Sequence, residues 1–402
     1  MSQPSPTPSP APAAIAPVAP VAAAPPPCGD PSANPLLSDF VTSVPCPGDF
    51  VIDPAVVATN MGLAALFVLF FGLTSEVFNS TIDENRRSIG AMRARLTAWP
   101  ARLLAPVAAL GTAFTTRFAM FAPTTPLGAT VHAAIVLGAV GFIYAFLARD
   151  FSFDTKGAIL LFSMIIGIGL VTYLSEGTRA LLARRRFHAT ASIRLYGTAA
   201  AVAVVSVLLS RVIGIAPGIV FGFVATSLIV APTALGKRDE ALLVMGPALV
   251  LLAASLTAFV LLGPASQAAT LGGVGEVEGL APTFIDSVLA VIFVAGLEGL
   301  VFMMLPLKFL HGSAVMRWSK PVWALFFGTV VFLWWQLLLN RNAAYLEEFD
   351  LASTKFVMVA LILFGGVTAA VYLYFRYKAR GEEVEEDIEV RPEIGEADPA
   401  GA

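Results

Sequence analysis

A single carboxylate lies inside an apolar run that is long enough to cross a membrane. Glu298 falls within the run at about 284–306, which ends at Pro306 and is followed by Leu310-His311-Gly312. A charged side chain at the centre of a bilayer costs roughly 2.5 to 3.5 kcal/mol on insertion scales, so it needs a partner or a task such as proton or ion transfer. Glu298 is therefore the first candidate for a functional residue.

A second group of polar residues marks the end of another apolar run, at about 157–178. Glu176 and Arg179 stand there, just before a basic Ala-Arg-Arg-Arg-Phe stretch. We expect the ends of the two runs to pack together, because Gly177, Gly296 and Gly299 permit a close helix approach. Arg179 would then pair with Glu298 or Glu176. The alternative is that Arg179 reaches the headgroups while Glu298 is protonated. The candidate polar cluster consists of Glu176, Arg179, Glu298 and His311.

The composition indicates what must position these residues. The 402-residue chain is 57% hydrophobic and only 13% charged, and apolar runs of about 20 residues match the length of a membrane-spanning helix. The pattern predicts an all-α polytopic membrane protein with a helical bundle over 55–378. Nine spans are predicted, at about 55–77, 127–148, 157–178, 196–214, 217–235, 241–263, 284–306, 321–339 and 355–376.

The charges between the spans predict an orientation. Alternating assignment places most Lys and Arg residues on one side, in 79–126, 179–195, 236–240, 307–320 and after the last span. Basic loops stay in the cytoplasm, so the N-terminus is predicted outside and the C-terminus inside a bacterial cytoplasmic membrane. The net charge of −3 gives no indication of a nucleic-acid partner. Four tryptophans around the eighth span are interpreted as interface anchors: Trp318, Trp323, Trp334 and Trp335.

The segments outside the spans have distinct compositions. Residues 1–27 are rich in Pro and Ala and are predicted to be disordered, as is the acidic tail 379–402. Most acidic tails only interact with solvent, and a minority bind a basic partner. Residues 28–54 are interpreted as a small outer cap that a disulfide between Cys28 and Cys46 closes, since the predicted orientation puts both in an oxidising space. Residues 86–122 are predicted to form helices on the inner membrane surface; the alternative is a re-entrant segment or a tenth span.

The stretch from Leu174 to Phe187 is similar in spacing to the zinc-binding helix of intramembrane site-2 metalloproteases, and Leu305 to Gly312 to their Leu-Asp-Gly segment. The resemblance implies zinc ligands at positions 175, 179 and 311, with Glu176 as the general base. Ser175 and Arg179 depart from this pattern, His311 replaces the Asp, and a guanidinium does not bind zinc. Three protein ligands are the norm for a catalytic zinc, so the resemblance implies a protease-like scaffold without the protease.

A further resemblance is to bacterial polytopic proteins named for an FGLLP motif. Glu298 to Leu310 resembles the motif region, with Met303-Met304 in place of Gly-Leu, and Glu76 to Asn85 resembles the family's segment after the first span. This resemblance covers roughly 55–340 and implies no established activity.

Three functions remain open at this point. The first is a non-catalytic membrane scaffold or anchor that binds a membrane or cytoplasmic partner protein. The second is a transporter with Glu176, Arg179 and Glu298 along its path, and the third is an intramembrane hydrolase that uses Glu176 and His311. The lost ligand positions favour the scaffold, with no enzymatic activity, no cofactor and no metal, and with the lipid bilayer and a protein as its partners.

Overall fold

The computed structural model describes most of the apolar part of the chain. The predicted surface helices at 86–122, the N-terminal segment with Cys28 and the acidic tail lie outside the described residues, apart from single positions. The described residues are 34–49, 53–86, 126–195, 198–214, 217–220, 224–230, 235–271, 277–339 and 361–377.

Helices dominate the described residues. Six of them are long and apolar enough to cross a membrane: α2, α3, α4, α6, α7 and α9 with the turn that follows it. This confirms the coarse prediction of a helical protein suited to a membrane, while nine spans and the orientation stay predictions. In chain order the elements are α1 (Asp39–Thr42), a 3-10 turn (Pro47–Asp49), α2 (Pro54–Glu84), α3 (Pro126–Ala145), α4 (Thr155–Phe187), β1 (Thr190–Leu195), α5 (Thr198–Ile213), β2 (Ala225–Val230), α6 (Lys237–Leu271), α7 (Val277–Met304), α8 (Gly312–Trp318), α9 (Lys320–Trp334), a π-helical turn (Trp335–Leu339) and α10 (Leu361–Tyr377).

The starts of the long helices follow from local sequence. The carboxylate of Asp53 accepts a hydrogen bond from the amide of Ala55 at 2.8 Å, and Pro54 takes the first helical position, where no amide is needed. The carboxylate of Asp154 accepts from the amide of Gly157 at 2.9 Å and caps α4 in the same way. These two helices therefore begin directly after the aspartate whose side chain caps them.

The bundle has two ends, which we name after a residue at each. At the His311 end, the side chain of Arg179 near the end of α4 contacts His311, and Asn79 near the end of α2 donates to the carbonyl of Pro306 at 2.9 Å. At the Phe40 end, the side chain of Asn34 donates to Thr283 Oγ1 at 2.9 Å. The sequence predicts that the His311 end faces the cytoplasm.

Helix α7 forms the centre of the bundle. In its most apolar stretch 78% of the residues are buried, against 28% in α2, so α7 is covered by protein while α2 leaves much of its surface for lipid. Close approaches surround α7: a Cβ added at Gly167 of α4 would lie 2.5 Å from Val291 Cγ1, and one at Gly296 would lie 2.1 Å from Ser255 Oγ of α6. Helices α4 and α7 do pack together, but Gly177 faces open space, so it does not mediate the approach.

The described residues of the predicted fifth span, 217–235, are not helical. Gly214 ends α5 at a φ of +79°, and Gly218 has a φ of +109°, a conformation that other residues rarely adopt. Pro217 lies between them, and a Cβ at Gly218 would lie 2.8 Å from Leu147 Cδ2. The described residues 217–220 and 224–230, which we call the return segment, therefore pass from the end of α5 to β2 without helical hydrogen bonds.

The return segment ends in a strand pair that the sequence did not predict. Strand β2 pairs with β1 in antiparallel orientation, with Thr190 opposite Val230 and Leu195 opposite Ala225. Since β1 follows directly on α4, the pair fixes the end of the return segment at the His311 end. The described residues 217–220 and 224–230 are thus non-helical where a helix was expected.

The Phe40 end is covered by the segment 34–49. Leu37 and Phe40 are 1% exposed and belong to the main hydrophobic core, and Asn34 also donates to the carbonyl of Ala269 at 3.3 Å. Cys46 is buried in this cap. Its predicted disulfide partner Cys28 lies outside the described residues, so that bond stays a prediction.

Candidate functional site

Glu298 accepts a hydrogen bond from the backbone of the return segment. Its Oε2 lies 2.6 Å from the amide nitrogen of Val220, and the indole of Trp334 lies beside the same carboxyl. Glu298 is 4% exposed and Val220 is fully buried. A non-helical amide inside a membrane protein needs an acceptor from the protein, because no water is present to supply one. Glu298 meets that need.

Glu176 plays the same part nearer the His311 end. Its Oε2 accepts from the amide nitrogen of Ser227 in β2 at 2.7 Å, and both residues are buried. On α5, Ser210 Oγ accepts a hydrogen bond from the amide of Ile219 at 2.8 Å. Three side chains on three helices thus satisfy three amides of the return segment.

The other two members of the predicted cluster contact each other. Arg179 Nη1 lies within hydrogen-bonding distance of His311 Nε2, and the loop after α7 brings that histidine to the end of α4. Glu176, one turn before Arg179, also lies within electrostatic range of the guanidinium. No ion pair joins Arg179 to Glu176 or Glu298 among the contacts of the described residues. The predicted cluster is therefore two neighbouring arrangements, one of carboxylates with backbone amides and one of arginine with histidine.

The loop that carries His311 is fixed by groups on other helices. Asn79 Oδ1 accepts from the amide of Lys308 at 2.9 Å, while its Nδ2 donates to Pro306, so one amide side chain binds both sides of the break in the helix. The indole of Trp323 donates to the carbonyl of Met304 at 2.9 Å. Pro306 ends α7 and leaves carbonyls without helical partners, and these two side chains supply donors.

A cleft of about 420 Å³ opens beside Arg179 and His311. Its walls are β2, the loop 308–311 and the starts of α6 and α8. It is large enough for a few side chains of a bound segment. Within the described residues no three His, Cys, Asp or Glu side chains come close enough together to hold a metal ion.

The environment of His311 favours the neutral ring. Burial, and secondarily the neighbouring Arg179, lowers the pKa of His311 from 6.5 to about 4. The unfolded chain binds this proton near pH 6.5 and the folded chain does not until about pH 4. The histidine's contribution to stability is therefore complete above pH 6.5 and declines as the pH falls toward 4.

We expect the Tm in detergent to fall by about 1–2 °C between pH 7 and pH 5. This corresponds to about 1 kcal/mol, reduced from the full linkage value because the ring is partly exposed. The change His311→Gln keeps an acceptor for Arg179 and removes the titration. Its Tm should vary less with pH over this window, as differential scanning fluorimetry would measure, and an identical decline in both proteins would contradict the assignment.

Sequence reasoning missed several residues that position the site. Asn60 Nδ2 donates to Gln336 Oε1 at 2.6 Å within the buried bundle, and Ser210 and Asn79 bind backbone groups. The signal for Asn60 and Gln336 was available, since a polar amide within an apolar run implies a partner. The tryptophan prediction was wrong in three cases, because Trp323, Trp334 and Trp335 are 2–4% exposed and pack inside the protein.

Comparison with known proteins finds no similar protein. No family model, no curated protein and no solved structure matches the chain. The two family resemblances therefore stay predictions, and the function has to be argued from the site itself.

Proposed function

We propose that this protein is a non-catalytic scaffold of the bacterial cytoplasmic membrane, with a degenerate protease-like core and a cleft that binds a partner protein. The supporting observation is the contact between positions 179 and 311. The resemblance to site-2 metalloproteases implies zinc ligands at these two positions, far apart in sequence. They are in contact here, but one of them is an arginine, which cannot bind zinc.

The use of the two buried carboxylates supports the same proposal. A catalytic base must reach a proton on a substrate, whereas Glu176 and Glu298 each accept an amide of the return segment. Both are at most 4% exposed. Their geometry is that of acceptors for internal backbone groups, which is a structural task.

The covered Phe40 end favours a scaffold over a transporter. A transporter opens a path alternately to each side of the membrane. Here the segment 34–49 places Leu37 and Phe40 in the core and binds both α6 and α7 through Asn34. The cleft that has the partly buried Arg179 in its wall lies at the His311 end, and we assign partner binding to it.

Restoring the metal ligands tests the protease-like core. The triple change Ser175→His, Arg179→His and His311→Asp recreates the pattern that the resemblance implies. We expect this variant to retain about one zinc ion per chain through purification, because three correctly placed ligands suffice, while the wild-type protein retains none. Zinc would be measured by mass spectrometry of the purified protein, with the folded state checked by gel filtration.

A single substitution provides a second test in case the triple variant does not fold. Arg179→His alone places two imidazoles in contact, and added zinc should raise its Tm by several degrees through binding to the folded state. The wild-type Tm should not respond. Folded variants without zinc would remove the support for a protease-like core, and one zinc per chain in the wild-type protein would contradict a non-catalytic scaffold.

A further inference from the structure

The cleft at the His311 end carries more positive than negative charge. Arg179, Lys308 and Arg317 lie in its walls against one carboxylate, that of Glu240. Among the lining residues cations therefore outnumber anions, while Asp83, outside the lining, pairs with Lys308. The cleft therefore suits an anionic occupant.

Arg179 is the cation with the least compensation. Its Nε is buried without a hydrogen-bond partner, and its Nη1 contacts His311, whose ring is neutral above about pH 4. No carboxylate of the described residues forms an ion pair with it. Glu176 lies within electrostatic range of Arg179, but its Oε2 accepts from the Ser227 amide. A partly buried guanidinium without an ion-pair contact is costly, and a carboxylate placed in the cleft would reduce that cost.

The other two cations are held only weakly. Lys308 pairs with Asp83 and Arg317 with Glu240, the latter at 3.1 Å. The four side chains are 37–53% exposed, and such surface pairs contribute little. Both cations can therefore exchange their present partners for carboxylates of an incoming segment.

We propose that the cleft binds the acidic stretch Glu382–Asp387 of this chain's own C-terminal tail. Five of its six residues are acidic, which matches the excess positive charge. The inference rests on the proposed function, because the tail would occupy the partner site and a partner would have to displace it.

Helix α10 packs on the helix whose end borders the cleft, and the sequence predicts that the tail after α10 lies on the cytoplasmic side, as it does for the His311 end. Helix α10 ends at Tyr377 and packs through Phe364 on Phe71 and Phe78 of α2. The end of α2 in turn lies against the cleft wall, through Asn79 and Lys308. The ten residues 378–387 span up to about 35 Å when extended, which is slightly more than the length of about six helical turns.

Photo-crosslinking of the purified full-length protein in neutral-lipid nanodiscs tests the proposal. A benzophenone amino acid at Leu228, which is 42% exposed and lines the cleft, should crosslink to residues 382–387, as identified by mass spectrometry. The matched control is Leu181, which is 50% exposed on α4 and does not line the cleft. It should give no tail crosslink.

Neutralising the tail provides the second arm. Changing its four glutamates to Gln and Asp387→Asn should lower the Leu228 crosslink about tenfold, and so should Arg179→Gln, whereas Arg185→Gln on the same helix should not. The yield should also fall in high salt. A crosslink that persists after neutralisation overturns the proposal, as does one that reaches only lipid or a second copy in an isotopically mixed sample. Neither result affects zinc binding by the ligand-restored variant, so the two proposals fail separately.

Discussion

Replacing Glu298 with Met lowers the Tm of the detergent-solubilised protein by about 1–6 °C. Methionine keeps much of the side-chain volume and removes the acceptor of the Val220 amide, which is fully buried. An unsatisfied buried donor costs about 1–3 kcal/mol, and each kcal/mol shifts the Tm by about 1–2 °C in a chain of 402 residues. Differential scanning fluorimetry measures the change.

The matched control is Glu298→Gln, which removes the charge but keeps an amide oxygen for Val220. We expect it to retain most of the wild-type Tm. If the Gln and Met variants lose the same stability, the role of Glu298 depends on its charge, and the hydrogen bond to the return segment is not what holds it there.

Gly312→Ala has a comparable or larger effect, about 3 kcal/mol or more. An added Cβ would lie 2.1 Å from the carbonyl oxygen of Met304 and 2.7 Å from that of Leu305. Both atoms belong to the backbone, so neither can move aside as a side chain could, and overpacking of this kind costs typically 1–3 kcal/mol or more. The loop with His311 would shift, and the contact with Arg179 would be lost with it.

Gly177→Ala serves as the control for this substitution. Nothing lies within 4 Å of an added Cβ there, and alanine favours a helix by about 0.5–1 kcal/mol relative to glycine. We therefore expect a Tm at or slightly above that of the wild-type protein. A Gly312→Ala variant as stable as Gly177→Ala would show that the turn after α7 is not closely packed.

The main helices could be predicted because length and hydropathy suffice for them. The runs that begin near residues 55, 157 and 284 all correspond to long helices. The importance of Glu298 and Glu176 could also be predicted, since a carboxylate in an apolar run demands a partner. Their partners could not, because backbone amides are present at every position and leave no mark in a sequence.

The return segment could not be recognised for a related reason. A buried extended chain and a buried helix both give a short apolar run, and hydropathy alone does not separate them. The available signals were local: Pro217 between Gly214 and Gly218, and then the β-branched Ile219, Val220 and Val224. Those residues favour an extended chain over a helix. The acceptors of the Ile219 and Val220 amides belong to helices α5 and α7.

This arrangement links the fold to the proposed function. In the resemblance to site-2 metalloproteases Glu176 would be a base, and in a transporter Glu298 would carry ions or protons. In this structure each carboxylate instead holds one amide of the return segment. This use of the carboxylates supports the proposal of a protein that presents a binding cleft at one membrane surface.

Hydrogen exchange of the Val220 and Ser227 amides tests directly whether Glu298 and Glu176 hold the return segment. It is read by mass spectrometry with residue-level fragmentation, in the wild-type protein and in the double variant Glu176→Met with Glu298→Met. We expect slow exchange of both amides in the wild-type protein and exchange at least about tenfold faster in the variant, with the amides of α4 between Leu160 and Thr172 unchanged. Equal exchange of Val220 and Ser227 in the two proteins would contradict it, because the carboxylates would then not hold the return segment.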